Sequence, residues 1–215
     1  MKPADDPCTD YRALVRTSYD QLASAYAESR VGEAHPELEW LLTRLDDGSS
    51  VLDIGCGAGV PVTELLAKRF AVTGVDVSEE MLRLARANVP RASFFQSDIT
   101  SVEFDDSTFD AAVAFFSLFH IPREDQPRLF HRIRDWLKPG GYLMCTLSLV
   151  SETGYTEDGF FGEKMYWSNY GLAEYEEMLT GIGFRMLRTT IITHGISEAT
   201  YASLEQHPLV LARRD

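Results

Sequence analysis

The stretch "VLDIGCGAG", residues 51–59, decides how the rest of the chain is read. An apolar run leads to Asp53, and glycines follow at 55, 57 and 59. Glycine turns of this kind let a backbone approach a ligand closely, most often a phosphate. Two phosphate readings fail on spacing. The pattern GxxxxGK[ST] that cradles a nucleoside triphosphate is absent. The dinucleotide loop GxGxxG needs a glycine at position 60, where Val60 stands. Asp53 also puts a negative charge where a pyrophosphate would be repelled.

Around this loop, strand-like and helix-like segments alternate. Strand "SVLDI" leads to helix "VPVTELLAKRF", and strand "AVTGVDV" to helix "SEEMLRLARANV", with Ser78 as its N-cap. Strand "ASFFQSD" follows. Then strand "FDAAVAFFS" leads to helix "REDQPRLFHRIRDWL", and "KPGG" turns the chain into strand "YLMCTLSLV". Continuous apolar strands predict a parallel sheet covered by helices on both faces. Upstream, "TDYRALVRTSYDQLASAYAESR" reads as one or two amphipathic helices and "HPELEWLLTRLDDG" as a shorter one. Downstream, "SETGYTEDGFFGEKMYWSNYG" has no clear period and reads as a long functional loop. Helix "LAEYEEMLTGIG" and strands "FRMLRTTIIT" and "PLVLARR" close the chain, the last pair antiparallel at one edge. The expected organisation is a single domain over 1–215. Its parts are N-terminal lid helices (1–35), a core (50–147) and an insert (149–170).

Composition narrows the function. The net charge is −13, and no Lys/Arg cluster offers a phosphate-neutralising face, so no nucleic-acid partner is expected. Cys8, Cys56 and Cys145 are odd in number and far apart, which fits a reducing, cytoplasmic setting and no disulfide framework. No apolar run is long enough for a membrane span or a signal core, so no membrane partner is expected.

Two further acids complete a pattern. Asp76 ends the second strand and Asp98 the third. With "VLDIGCGAG", "VTGVDVS", "FQSDI", "FDAAVAFFSLFHI" and "LKPGGYL" in order, the chain resembles the class I S-adenosylmethionine (SAM)-dependent methyltransferases. That resemblance implies a Rossmann-like, doubly wound, seven-stranded sheet, mostly parallel with an antiparallel last strand. It implies SAM as cofactor and S-adenosylhomocysteine as product. Asp53, Gly55, Cys56, Gly57 and Gly59 would surround its methionine part. Asp76, Val77 and Met81 would hold the ribose side, and Asp98 and Ile99 would border the adenine. Phe115 and Phe116 would floor the methionine part, with Tyr26 near it. A cationic nucleoside with an amino-acid tail suits three acids better than a pyrophosphate does. Asp98 could instead serve only as a helix cap.

For the acceptor, His120 in "SLFHIP" is the candidate base, and packing is its competing role. Tyr19 is a second catalytic candidate from the lid, with a core role equally open. Met165, Tyr166 and Trp167 of the insert would wall a flat, apolar, small-molecule acceptor, or else anchor a flap or a homodimer contact. His131 reads as solvated, His194 as a strand end, and His35 and His207 as turn residues. No metal ligand set is apparent. The leading expectation is methyl transfer from SAM to an O, N, S or C atom of a small molecule. A SAM-binding cyclase or isomerase on the same fold, or a non-catalytic SAM-binding partner, are the competing readings.

Overall fold

The computed structural model describes residues 10–30, 37–194 and 205–215, without the side chains of 193, 194 and 205. Cys8, His35 and the side chain of His194 therefore lie outside the described residues. Seven strands form one sheet in the order β3-β2-β1-β4-β5-β9-β8. They are β1 (Ser50–Ile54), β2 (Ala71–Asp76), β3 (Ser93–Gln96), β4 (Phe109–Ala114), β5 (Leu137–Thr146), β8 (Phe184–His194) and β9 (Glu205–Arg214). β1 pairs in parallel with β2 and β4, β2 with β3, and β4 with β5. β9 runs antiparallel to both β5 and β8. The expected mixed sheet, with its last strand antiparallel, is the observed one.

Helices α3 (Val62–Leu66), α4 (Glu79–Asn88), α5 (Gln126–Trp136) and α6 (Leu172–Ile182) connect the strands, and α2 (Glu37–Leu42) precedes β1. The sheet separates two apolar clusters. Leu52, Ala112, Leu143, Ile133 and Tyr175 belong to one, and Val51, Val113, Met144, Leu38 and Leu66 to the other. Neighbours on one strand thus face opposite layers, as a doubly covered strand requires. Strand order reverses between β1 and β4, and in an open α/β sheet such a switch point opens a crevice at the strands' carboxyl ends.

Above that crevice lies a third apolar cluster. Helix α1 (Tyr11–Ser29) is one continuous helix, capped by Asp10, whose carboxylate accepts from the Arg12 and Ala13 amides. Its Val15, Leu22 and Ala23 pack with Met81, Met165 and Tyr166. The segment expected to be a loop is instead a two-stranded hairpin, β6 (Glu152–Phe160) and β7 (Glu163–Asn169). Register shifts between Glu152/Tyr155 and Asp158/Phe160 break its alternation, which is why it lacks a strand period in sequence. Two further expectations change. α3 is only one turn and a half of the longer helix expected over 60–70. His207 lies within β9 rather than in a turn, its ring against Phe116 and Phe119.

Candidate active site

The glycine loop leaves β1 with Gly55, Gly57 and Gly59 all at positive φ. At Gly55 (φ +68°) a Cβ would fall 2.3 Å from the Cβ of Ser117, so the residue is forced by close approach to the loop after β4. At Gly57 (φ +52°) a Cβ would meet nothing within 4 Å, so its neighbourhood is open. Gly59 instead packs toward Val89 and Ala85 of α4 and lines neither cavity described below.

A cleft opens at the switch point. Gly55, Gly57, Asp76, Val77, Met81, Asp98, Ile99, Phe115, Phe116, Tyr19, Tyr26 and His120 all line it, so twelve residues singled out from sequence meet around one space. Asp53 and Cys56 line a narrower adjoining cavity with Tyr26 and Arg30.

Each acid has a defined environment. Asp76 accepts from the Gly57 amide at 2.9 Å through one oxygen and from the Ser78 amide at 2.9 Å through the other. Each oxygen keeps a lone pair for a further donor. Burial raises its pKa, and the amides partly offset that. Asp53 is 2% exposed, accepts from the Thr63 hydroxyl at 2.6 Å, and is pushed up to about 7 by burial. Asp98 accepts from the amide and hydroxyl of Thr100 through Oδ1. Its Oδ2 is buried and lies 2.6 Å from Nε of Arg12 as an ion pair. Arg12 also donates to Asp125 at 2.5 Å. Asp98 is thus both a turn cap and the ion-pair partner of the covering helix. The sequence pattern carries no sign of Arg12, whose partner is more than eighty positions away.

The loop after β4 is tightly keyed. Ser117 Oγ donates to the Ile54 carbonyl at 2.8 Å, and the Phe116 amide donates to Thr146 Oγ at 2.6 Å. Phe116 adopts φ +55°, an unusual conformation for a non-glycine residue and one that recurs at functional sites. The Arg30 guanidinium lies 4.7 Å over its ring.

His120 ends a single 3₁₀ turn, Leu118–His120, and is 9% exposed. Nδ1 lies 2.9 Å from the Tyr166 carbonyl, and Nε2 lies 2.9 Å from the Tyr19 hydroxyl. A carbonyl only accepts, so Nδ1 carries the ring proton and Nε2 accepts from Tyr19 O–H. Burial pushes His120 down to about 4 and raises Tyr19 well above its ordinary value, so both are neutral near pH 7. Trp167 flanks the imidazole at 4.6 Å.

Met165, Tyr166 and Trp167 do not line the cleft. Met165 and Tyr166 are buried in the lid cluster, and Tyr166 stacks on Tyr11 at 4.0 Å. The insert reaches the Tyr19–His120 pair through the Tyr166 carbonyl, the Trp167 indole and the Phe160 ring, which stands edge-on to Tyr19 at 6.2 Å. His131 is exposed on α5. Among the described residues, no group of three or more His, Cys, Asp or Glu side chains is placed to hold a metal ion, and no helix is long and apolar enough to cross a membrane.

The chain is similar in sequence and in fold to known proteins. Residues 51–141 match the model of a methyltransferase domain family. The chain is 32% identical over 147 residues to phosphoethanolamine N-methyltransferase 3 of Arabidopsis thaliana, covering 65% of this chain and 29% of that protein. Its fold is similar to 1,6-didemethyltoxoflavin-N1-methyltransferase of Burkholderia thailandensis, solved with its substrate and S-adenosylhomocysteine (TM-score 0.73, 20% identity, 99% and 93% of the two chains). It is similar also to the [4+2]-cyclase SpnF (TM-score 0.70, 20% identity, 100% and 99%). The chain spans between 29% and 55% of the lengths of the first curated relatives it matches. Sequence and fold thus both resemble those of the SAM-dependent methyltransferases.

Proposed function

We propose that the chain transfers a methyl group from SAM to a small molecule whose nucleophilic atom lies against the Tyr19–His120 pair. The observation that carries this reading is the 2.9 Å contact between Tyr19 and His120 Nε2 at the wall of the cleft, with both groups neutral. Bound SAM supplies an activated methyl on a sulfonium that leaves readily. The residues fit it. Asp76 has acceptor capacity for ribose hydroxyls, Asp98 lines the cleft beside Ile99, and Gly57 leaves open space for close approach. Asp53, on the cavity that also holds Arg30, would favour an ammonium there, and Arg30 a carboxylate.

On the acceptor side, Val15, Ile121 and Pro122 line the cleft with apolar surface, which supports a small acceptor with an apolar body. Tyr19 Oη takes the proton from the acceptor as its own proton moves to His120 Nε2. His120 Nδ1–H, held by the Tyr166 carbonyl, keeps the ring in the required tautomer. Holding two reactants in line supplies most of the rate in such a reaction.

A second reading is a cyclase or isomerase that binds SAM without spending its methyl, supported by the fold shared with SpnF and by the apolar wall of Val15, Ile121 and Pro122. Incubation with methyl-labelled SAM and a panel of small acceptors separates them. Label in the product supports methyl transfer. Product with SAM recovered intact supports cyclisation and overturns the first reading.

A further inference from the structure

The turn that carries His120 is held by one buried amide. Gln126, the first residue of α5, has no exposed surface. Its Nε2 lies 2.8 Å from the Ile121 carbonyl, 3.2 Å from that of Leu118 and 3.1 Å from that of Ser168. Two N–H groups therefore serve three carbonyls. Its Oε1 accepts from the Tyr175 hydroxyl at 2.7 Å, and that hydroxyl in turn accepts from the Tyr170 amide at 3.3 Å. Tyr175 is 1% exposed. The direction of the amide is thus fixed, because Tyr175 O–H demands an acceptor and the carbonyls demand a donor.

The three carbonyls are not scattered. Leu118 and Ile121 flank His120 on both sides. Ser168 lies two residues beyond Tyr166 on β7, so both carbonyls fall on the same edge of the strand. A second tie, from the Arg123 amide to Ser168 Oγ at 2.9 Å, holds the same loop to the same strand. His120 Nδ1 and the Tyr166 carbonyl belong to these two segments, and Gln126 is bonded to both.

We infer that Gln126 is a positioning residue for the Tyr19–His120 pair. It sets the spacing between the His120 turn and β7, and through that spacing it fixes the proton on Nδ1 and leaves Nε2 facing Tyr19. The inference rests on the reading of His120 as proton acceptor, but its test does not. Gln126→Met keeps the bulk and removes every hydrogen bond. Tyr175→Phe leaves the amide in place and removes the group that orients it.

The test is nitrogen-15 spectroscopy of the histidine rings, with S-adenosylhomocysteine binding measured in parallel. The full chain should show His120 as a single neutral tautomer protonated on Nδ1. Gln126→Met should show both tautomers in exchange, with S-adenosylhomocysteine affinity within about twofold of the parent, because the cofactor acids lie elsewhere. Where an acceptor is in hand, kcat should fall by on the order of tenfold or more with KM for SAM unchanged. An unchanged tautomer in Gln126→Met overturns the inference, as does a loss of turnover with the ring signals unaltered. If Gln126→Met does not fold, Tyr175→Phe decides by the same readouts. If the protein transfers no methyl group, the functional reading fails while the ring tautomer still decides the role of Gln126.

Discussion

Tyr19 and His120 are 101 positions apart, yet the tyrosine hydroxyl donates to Nε2 of the imidazole at 2.9 Å. One comes from the helix that covers the cleft and the other from the turn after β4, so the pair exists only while α1 is seated.

Removing either member tests their role. Tyr19→Phe and His120→Ala should each lower kcat by on the order of 10²–10⁴-fold for a hydroxyl acceptor. Calorimetry should find S-adenosylhomocysteine affinity little changed in His120→Ala. Full turnover in His120→Ala would show that the acceptor needs no base.

The two loop glycines should fail in different ways. Gly55→Ala meets Ser117 and keeps φ +68°, so it should lower stability by more than the ~1–2 kcal/mol of the left-handed conformation alone. Gly57→Ala has open space, so its stability loss should stay near that conformational cost while cofactor affinity falls. Urea midpoints beside calorimetry distinguish them, and equal stability losses would contradict the assignment.

Asp76→Ala should weaken S-adenosylhomocysteine by about ten- to a hundredfold, the range for a lost hydrogen bond to a charged group. Affinity within a factor of two of the parent would remove Asp76 from the cofactor site.

On the proposed reading, Asp53 makes cofactor binding pH-sensitive. Its carboxyl is pushed up to about 7 by burial, so it is largely protonated at pH 6 and ionised at pH 8. An ammonium group favours the ionised form, so affinity for S-adenosylhomocysteine should rise with pH through about 7. Asp53→Asn should flatten that rise. A rise that survives in Asp53→Asn belongs to another group.

Two buried groups also set stability against pH with opposite signs. His120 falls from 6.5 to about 4 on folding, so the unfolded chain binds the extra proton and stability climbs as pH rises across that window. Asp53 rises from 3.8 to about 7, so the folded chain keeps the extra proton and stability falls as pH rises across its window. The two contributions oppose each other where the windows overlap. His120→Asn should therefore lose stability between pH 4 and 6.5 as pH rises, and Asp53→Asn should gain it, each by about 2–3 kcal/mol. Parallel slopes in the two variants would show that neither proton is held as described.

The rim of the cleft was legible because its signals are local. Asp76 ends β2, the loop glycines follow β1 and Asp98 follows β3, and chain order alone brings strand ends to one rim. Arg12 was not legible, because its partners Asp98 and Asp125 come from distant segments and any solvated helix face carries such a residue. Nor was the Tyr166 carbonyl, since a backbone acceptor leaves no mark in the side-chain pattern. Met165 and Tyr166 looked like a pocket wall because aromatic and sulfur-bearing residues suit a ligand and a lid core equally well. The bulges of β6 and β7 hid the hairpin by breaking the alternation that would have revealed it.

The apolar cluster that α1 shares with the hairpin is distinct from the two clusters that hold the sheet. Met81 and Ala58 of the supporting structure belong to it, so lifting α1 would uncover them but leave both sheet clusters closed. Tyr19 travels with the cover, while His120 stays with the base. On the proposed reading, lifting α1 breaks the proton route in the same movement that lets solvent in. The proposed chemistry would then have its own interlock: while the cleft is open for loading or release, the means of deprotonating an acceptor is disconnected.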